Sequence, residues 1–150
     1  MEEWVVQSPS LQRFVLRRHE RAFRRLTAGL PCPGRVGIVG GGLFPRTALI
    51  AGCLWPSARL TVIDSNSRNL ARARPFLTRA VELAHRPYDR GQDNGFDLLV
   101  VPLAFSGNRR LFYQNPPAPR VFVHDWIWNK RGKSVVVSLL LLKRLNLVQA

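Results

Sequence analysis

Residues 35–64 read RVGIVGGGLFPRTALIAGCLWPSARLTVID, and the order of patterns within them decides the fold. A short apolar run, Val36–Val39, ends in three glycines, and a helix-like segment follows them. A second apolar run, Leu60–Ile63, is then closed by Asp64. Strand, tight glycine turn, helix, strand and acid, in that order, are typical of a nucleotide-binding βαβ unit. The stretch therefore predicts an α/β fold that binds a nucleoside-type cofactor.

The residue types in this unit suit a cofactor. Gly40, Gly41 and Gly42 can take positive φ and let the backbone come close to a ligand. The helix behind them offers free N–H groups and the positive end of its dipole. Asp64 stands 22 residues beyond Gly42, at the tip of the neighbouring strand, where a carboxylate can accept hydrogen bonds from ribose hydroxyls. A glycine-rich turn without a ligand is the alternative interpretation.

The length of 150 residues favours a single domain with a core that needs neither disulfide nor metal. We divide it into an N-terminal arm and helix (1–34), a cofactor-binding core (35–125) and a C-terminal strand region (126–150). The two cysteines, Cys32 and Cys53, are isolated, and no secretory leader is visible, so we expect reduced thiols and a cytoplasmic protein. No apolar run is long enough to span a bilayer. We therefore expect neither a metal site nor a membrane span.

The formal net charge of +14 is unusually large and comes from 20 arginines and 3 lysines against 9 acidic residues. A charge of this size attracts polyanions non-specifically, although a GC-rich genome would also enrich arginine. At 100° per residue, the arginines of the first predicted helix lie opposite its apolar face, and a second set recurs on one side of the helix after Asp64. These faces are interpreted either as solvated surface or as a nucleic-acid-binding surface. They contain Arg13, Arg17, Arg21, Arg24, Arg68, Arg72 and Arg79.

Three further strands are predicted at Val81–His85, Phe96–Val101 and Arg120–His124. The segment 125–133 is too short for a parallel crossover, so the apolar run Ser134–Leu142 either pairs antiparallel or is not a strand, and its four leucines could also be helical. We favour an antiparallel strand, with the last residues turning back against it. The fold class is therefore α/β. It is predicted to be a Rossmann-like three-layer sandwich with a mostly parallel central sheet and a shortened, partly antiparallel C-terminal end.

Four phrases in residues 35–125 carry a family resemblance. They are VGIVGGG at the first strand, LTVIDSNSRNL at the second, an acidic loop after the third, and GFDLLVVPLAF at the fourth. Together they resemble the class I S-adenosylmethionine (SAM)-dependent methyltransferases, in which a Gly-x-Phe-Asp-apolar run commonly enters the fourth strand. The resemblance implies a seven-stranded sheet with SAM across the C-terminal ends of strands one, two and four.

The resemblance also implies roles for residues at matching positions of this sequence. Gly40 and Gly42, with Gly41 between them, would line the methionine and ribose side of SAM. Asp64 would hold the ribose hydroxyls with Ser65 beside it. Asp89, in the acidic loop, would lie near the adenine amino group.

At the fourth strand, Pro102 and Leu103 would form the wall near the reactive methyl group. This strand ends in Val-Pro-Leu-Ala-Phe. Enzymes of the resembled fold that methylate amino groups carry Asn/Asp-Pro-Pro-Tyr there. The difference argues against methylation of adenine N6 or glutamine by that mechanism.

The glycine turn departs from the usual family pattern. Ile38 stands where family members usually carry an acid, and Phe44 followed by Pro45 replaces the third glycine. The resulting G-x-G-x-x-P is similar to nicotianamine synthases, which transfer the aminocarboxypropyl group of SAM. An NAD-binding domain is a further alternative, but Pro45 lacks an N–H that could bind a pyrophosphate, which SAM does not have.

The best candidates for a catalytic base are His124 and Asp125, at the C-terminal end of strand five and therefore at the ligand edge of the sheet. Trp126 and Trp128 follow and could stack on a flat substrate or cover the sulfonium. In the alternative interpretation, His124 and Asp125 make structural hydrogen bonds and the two tryptophans have a packing role.

The function predicted from these patterns is SAM-dependent methylation of an unidentified acceptor. Few insertions are present to bind a substrate, so either a large substrate lies across an open face or a second subunit, as in a homo-oligomer, closes the site. The alternative is a function of a different class, that of a non-catalytic binding module. Such a degenerate domain keeps the fold, with or without the ligand, and acts as a partner subunit.

Overall fold

The structure, a computed structural model, describes residues 9–41 and 44–150. Residues 1–8 of the predicted N-terminal arm, and Gly42, lie outside the described residues. The helices are α1 (Pro9–Thr27), α2 (Arg46–Leu54), α3 (Ser67–Ala73) and α4 (Arg110–Gln114), with a 3₁₀ turn at Arg74–Phe76. The strands are β1 (Arg35–Val39), β2 (Arg59–Asp64), β3 (Glu82–His85), β4 (Leu98–Val101), β5 (Arg120–Trp126), β6 (Lys133–Ser138) and β7 (Lys143–Gln149).

All seven strands form one sheet in the order β3-β2-β1-β4-β5-β7-β6. Strands β1 to β5 are parallel to one another, whereas β7 is antiparallel to both β5 and β6. The prediction of a seven-stranded, mostly parallel sheet with an antiparallel C-terminal end is therefore confirmed.

The central strands are buried on both faces because alternate residues supply two separate cores. Ile38 of β1 packs with Phe23 of α1 and Phe122 of β5 on one face. Val39, the next residue, packs with Phe112 of α4 on the other. Helices thus cover both faces, as the predicted three-layer sandwich requires.

Strand boundaries at β4 and β5 differ from the prediction. Strand β4 begins at Leu98 instead of Phe96, because the carboxylate of Asp97 accepts hydrogen bonds from the main-chain N–H groups of Gly34 and Arg35, each at 2.8 Å. These hydrogen bonds join the residue before β4 to the segment at the start of β1. Strand β5 runs on to Trp126, since its pairing with β7 continues to that residue.

The predicted strand Ser134–Leu142 is wrong in its second half. Strand β6 ends at Ser138, and the four leucines that follow make a turn in which Leu142 takes a φ of 51° and Leu140 is 91% exposed. The last residues do turn back, as predicted, and form β7. This strand pairs with β5 over seven residues and so separates β6 from β5.

The parallel strands direct their C-terminal ends to one edge of the sheet. There the chain turns out of β1 through Gly40, whose φ is +82° and whose N–H donates to the carbonyl of Ile63 at 2.6 Å. Pro45 precedes α2 and its carbonyl accepts the N–H of Leu49, so this proline lies at the helix start, where its missing N–H costs little. None of the helices in the described ranges is long and apolar enough to cross a bilayer.

Candidate cofactor and acceptor site

A cavity of about 420 Å³ opens at the C-terminal edge of the parallel strands. It lies where β1, β2 and β4 end, and α1, α2, β5 and β7 also contribute to its walls. The structure brings together here most of the residues predicted to bind a cofactor. Those in the lining are Gly40, Gly41, Asp64, Ser65, Pro102 and Leu103.

Asp64 is the best-connected side chain of this cavity. It is 8% exposed, and its Oδ2 accepts hydrogen bonds from the N–H of Gly41 (2.9 Å) and from Nδ2 of Asn69 (3.1 Å). Its Oδ1 accepts the N–H of Asn66 at 2.8 Å. A carboxylate offers about four acceptor positions. With respect to the described residues, Asp64 therefore keeps capacity on Oδ1 for a hydroxyl group of a ligand.

Because Gly40 and Gly41 have no side chains, the glycine turn leaves room for the cavity. A Cβ at Gly40 would lie 3.5 Å from Cγ of Pro102, and one at Gly41 would lie 3.4 Å from Cγ1 of Val62. Ile38, at the position where the resembled family has an acid, is 2% exposed and belongs to the core while lining the cavity. The turn is thus shaped by close packing and by the bond from Gly41 to Asp64.

The opposite wall is the loop that follows β4. Arg109 holds this loop, since its Nη2 donates to the carbonyls of Pro102 (3.1 Å), Leu103 (2.7 Å) and Phe105 (3.3 Å). No sequence pattern singles out Arg109, because the three carbonyls that fix its role belong to an irregular loop.

Asp89 does not line the cavity. Its Oδ1 accepts the main-chain N–H groups of Gly91 (2.7 Å) and Gln92 (3.3 Å), so the carboxylate stabilises its own loop. An ion pair between Arg86 and Asp93 closes that loop and leaves Tyr88 in the cavity wall. The hydroxyl of Tyr88 is buried without a partner in the described part of the chain, and burial raises its pKa to about 12.

Two histidines meet at another part of the cavity wall. His124 of β5 is 6% exposed and His19 of α1 is 4% exposed, and their ring centroids lie 5.7 Å apart. Nδ1 of His19 is 2.9 Å from the carbonyl oxygen of Val15, whereas Nε2 of His124 has no hydrogen-bond partner among the described residues. The predicted residue His124 thus reaches the cavity, together with a histidine that the sequence patterns did not select.

His19 was not selected from the sequence, because the helix that contains it was interpreted mainly from its arginines. The spacing of His19 would have indicated burial. It follows Val15 by four residues and precedes Phe23 by four, so it lies on the apolar face of α1. The apolar face of a helix packs on the part of the sheet that the helix covers. Here α1 lies against β6 and β7, and from it His19 reaches His124 of β5.

The described charged groups that act on the histidines are cationic. Burial, and to a smaller extent the nearby Arg46 and Lys143, lower the pKa of His19 to about 4, although the bond to Val15 opposes the change. Burial also lowers the pKa of His124 well below its usual value, with His19 and the same two cations acting in that direction. Both imidazoles are therefore neutral at pH 7.

Asp125, predicted beside His124 as a base, lies on the other face of β5. It is 3% exposed and accepts hydrogen bonds from the hydroxyl of Tyr113 (2.7 Å), the N–H of Trp126 (2.8 Å) and Nδ2 of Asn129 (3.0 Å). Successive residues of a strand point to opposite faces, so His124 and Asp125 do not converge.

The predicted substrate residues Trp126 and Trp128 also lie outside the cavity. Their rings stack on each other with centroids 5.5 Å apart and planes inclined by 7°, and they are 40% and 65% exposed. Trp126 borders a separate groove of about 350 Å³ whose lining includes Asp125, Arg110 and Arg131.

The sequence matches no protein-family model and no curated protein. Among solved structures, the plantazolicin methyltransferase BpumL in complex with a monoazolic desmethylPZN analog and S-adenosylhomocysteine (SAH) is 17% identical, with a TM-score of 0.59 over 83% of this chain and 51% of that one. MtNAS, a nicotianamine synthase, in complex with SAM is 16% identical, with a TM-score of 0.67 over 98% of this chain and 69% of that one.

Coclaurine N-methyltransferase bound to N-methylheliamine and SAH is 13% identical, with a TM-score of 0.54 over 73% of this chain and 35% of that one. The chain therefore spans about half the length of the plantazolicin methyltransferase and about a third of the length of coclaurine N-methyltransferase. With its sheet order, its glycine turn after β1 and its likeness to these structures, the chain has the fold of the class I SAM-dependent methyltransferases.

Proposed function

We propose that the chain binds SAM in the cavity at the sheet edge and transfers its methyl group to an acceptor. The observation that carries the proposal is the position of Asp64, a buried carboxylate at the end of β2 that faces the same cavity as the turn at Gly40 and Gly41. In the structures of similar fold, BpumL and MtNAS, the bound molecules are SAH and SAM.

The residues present fit a nucleoside bearing an amino-acid chain. Asp64 retains an acceptor position for a ribose hydroxyl, and Ser65 lies beside it. The ring of Tyr88 could stack on a flat base. Its hydroxyl, which has no partner among the described residues, could hydrogen-bond to that base. Pro102 and Leu103 form an apolar wall, held by Arg109, that excludes water from one side of the cavity. SAM, when bound, supplies an electrophilic methyl group on a sulfonium.

SAM suits this turn better than a dinucleotide does. A pyrophosphate is bound by successive main-chain N–H groups at a helix start. Here Pro45, which has no N–H, immediately precedes α2, and the N–H of Gly41 is already bonded to Asp64. Neither residue can therefore supply a donor to a dinucleotide.

Transfer of the aminocarboxypropyl group is the second candidate. The likeness to MtNAS extends over 98% of this chain, including the N-terminal helix, and both the turn G-x-G-x-x-P and this coverage favour it. The two reactions leave different products. Methyl transfer leaves SAH, whereas aminocarboxypropyl transfer leaves methylthioadenosine.

Calorimetric titration with SAM, SAH and NAD tests the proposed cofactor. We expect micromolar binding of SAM and SAH, a loss of at least tenfold in Asp64→Asn, and little change in Asp97→Asn. Asp97 is a matched control because its carboxylate also accepts two main-chain N–H groups, but at the opposite edge of the sheet. Binding of NAD alone would refute the proposal.

Mass spectrometry of SAM incubated with the protein and a panel of acceptors distinguishes the reactions. Accumulation of SAH supports methyl transfer, and accumulation of methylthioadenosine supports the second candidate. A protein that binds SAM tightly but forms neither product with any acceptor would instead be a binding module.

A further inference from the structure

Exposed apolar side chains lie together at one corner of the sheet. The turn between β6 and β7 carries four consecutive leucines, of which Leu139 is 68% exposed and Leu140 is almost fully exposed. The turn after β5 carries the stacked rings of Trp126 and Trp128. Six of the nine large apolar side chains that the described residues expose belong to these two turns and to β6. We call them the corner patch, and they are Trp126, Trp128, Val136, Leu139, Leu140 and Leu142.

Hydrogen bonds hold the two turns of the corner patch against each other. The N–H of Ile127 donates to the carbonyl of Leu142 at 2.8 Å. Each turn is also closed within itself. The N–H of Asn129 donates to the carbonyl of Trp126 at 2.9 Å, and the N–H of Leu142 donates to the carbonyl of Leu139 at 3.1 Å. The apolar side chains are therefore carried by a defined part of the fold.

The corner patch lies at the same edge of the sheet as the cavity. Strand β7 is antiparallel to both β5 and β6, so β6 runs in the direction of the parallel strands and ends at their C-terminal edge. Lys143, which lines the cavity, lies directly opposite Trp126 in the pairing of β5 with β7. A partner that covers the corner patch would therefore also border the cavity.

Cations flank the corner patch. Trp126 lines the groove of about 350 Å³ together with Arg110 and Arg131, both of which are exposed, and Lys130 beside them in the chain is exposed as well. Asp125 also lines this groove, but it is 3% exposed and its carboxylate already accepts the three hydrogen bonds described above. The exposed charged side chains of this described lining are thus cationic. With a net charge of +14 on the whole chain, they favour an anionic partner.

A lipid surface matches this combination of side chains. Its headgroup layer can be anionic, its interior is apolar, and tryptophan rings favour the boundary between the two. Single-stranded nucleic acid would stack on the tryptophans, but leucines have no ring on which a base could stack. A second copy of the chain would bring the same cations against each other across a twofold axis, which their like charge opposes.

We propose that the corner patch docks the protein on an anionic membrane surface. Leu139, Leu140 and Trp128 enter the lipid, while Lys130 and Arg131 contact the anionic headgroups. Docking places the cavity beside the membrane. The inference goes beyond the proposed function and does not depend on it, because the patch contains none of the residues proposed to bind SAM.

Flotation of the full chain with lipid vesicles tests the inference. Vesicles of phosphatidylcholine with about 30% phosphatidylglycerol are compared with vesicles of phosphatidylcholine alone, and we expect about tenfold tighter binding to the anionic ones. Leu140→Ser and Trp128→Ser should each weaken binding to the anionic vesicles about tenfold, because each removes apolar surface that the lipid buries. Lys130→Gln should weaken it about fivefold through the loss of one headgroup contact.

Two matched controls lie between α3 and β3, at the other end of the strand order. Phe76→Ser removes an apolar side chain that is 48% exposed, and Arg79→Gln removes an exposed positive charge. Both should leave vesicle binding unchanged. Because every substituted side chain is exposed, the variants should keep the circular dichroism spectrum of the wild type.

Lipids brominated in their acyl chains measure insertion directly, because they quench tryptophan that enters the lipid. Trp128→Phe should keep most of the binding and reduce the quenching. Equal binding to the two kinds of vesicle, or binding that Leu140→Ser does not weaken, would overturn the inference. A dimer that dissociates in Leu140→Ser, with no binding to vesicles, would also overturn it, since the patch would then join two copies. Binding of a single-stranded oligonucleotide through Trp128, again without vesicle binding, would assign the patch to nucleic acid instead.

Discussion

The main-chain N–H of Gly41 donates a 2.9 Å hydrogen bond to Oδ2 of Asp64, and this bond joins the turn after β1 to the end of β2. The residue proposed to bind the ribose is therefore also a support of the turn that shapes the cavity. Function and local stability are linked at this one carboxylate.

Asp64→Asn should destabilise the protein by about 1–3 kcal/mol, the range for buried polar groups that lose their partners. An amide has one oxygen, so its NH₂ group would face either the N–H of Gly41 or that of Asn66, both of which are donors. Urea denaturation followed by circular dichroism measures the change. An unchanged midpoint would show that these bonds contribute nothing to stability.

Gly37→Ala should destabilise β1 by about 1–3 kcal/mol because the core has no room for a methyl group. The added Cβ would lie 2.8 Å from two ring carbons of Phe96 and 2.9 Å from Cδ1 of Leu99. Gly52→Ala, a change within α2, is the matched control, since the added Cβ would lie 3.7 Å from Cδ1 of Leu60. Alanine favours helix there, so this control should gain about 0.5–1 kcal/mol. A destabilised control beside an unaffected Gly37→Ala would contradict the packing described.

The stability of the protein should fall between pH 6.5 and pH 4. The pKa of His19 is lowered from its ordinary value of 6.5 to about 4 in the folded protein, so over this range the unfolded chain binds a proton that the folded chain excludes. Because the unfolded state binds more protons, the free energy of unfolding decreases as the pH falls, by about 3 kcal/mol for a shift of this size. The lowered pKa of His124 acts in the same direction.

Urea denaturation of His19→Gln and of the wild type across this pH range measures the contribution. The substituted protein should show a shallower decline. The control is His85→Gln, a change at an exposed histidine of β3, which should follow the wild type. Parallel curves for wild type and His19→Gln would contradict the buried, neutral state of His19.

The arginine face of α1 is proposed to bind polyanions such as single-stranded RNA. Arg17 and Arg21 are exposed there, whereas Arg24 pairs with Glu20 at 2.8 Å. We expect affinity to fall steeply as salt rises, and Arg17→Ala and Arg21→Ala each to reduce the log–log slope by about 1. Fluorescence anisotropy with a labelled oligonucleotide measures this. Arg24→Ala should change the slope less, and affinity retained at high salt would remove the proposal.

The position of Gly40, Gly41 and Asp64 at the cavity was predictable because the signals are local. These residues belong to one βαβ unit whose elements follow one another directly in the sequence. The apolar run of β4 predicted a strand buried on both faces, and the family resemblance placed Pro102 and Leu103 at its end. In each case a strand end fixed the residue at the sheet edge before any tertiary contact was known.

The rest of the site depends on contacts between distant residues. His19 meets His124 of β5 only because α1 packs on the sheet at β6 and β7, and no local pattern predicts which strands a helix packs against. Asp89 was expected in the cavity, but the pair Arg86–Asp93 sets the loop so that Tyr88 takes that place. Loop conformations that depend on one ion pair cannot be derived from turn-forming residues alone.

The position of β7 between β5 and β6 imposes an order on folding. Strand β6 is made before β7 on the ribosome, yet it has no partner in the sheet until β7 has paired with β5. The hairpin must therefore add to the sheet as a unit, or β6 must wait as an unpaired strand that other chains could capture. Lys143, at the start of β7, arrives with this last step. The parallel half of the sheet can thus assemble first, and the cavity gains Lys143 only when the hairpin docks.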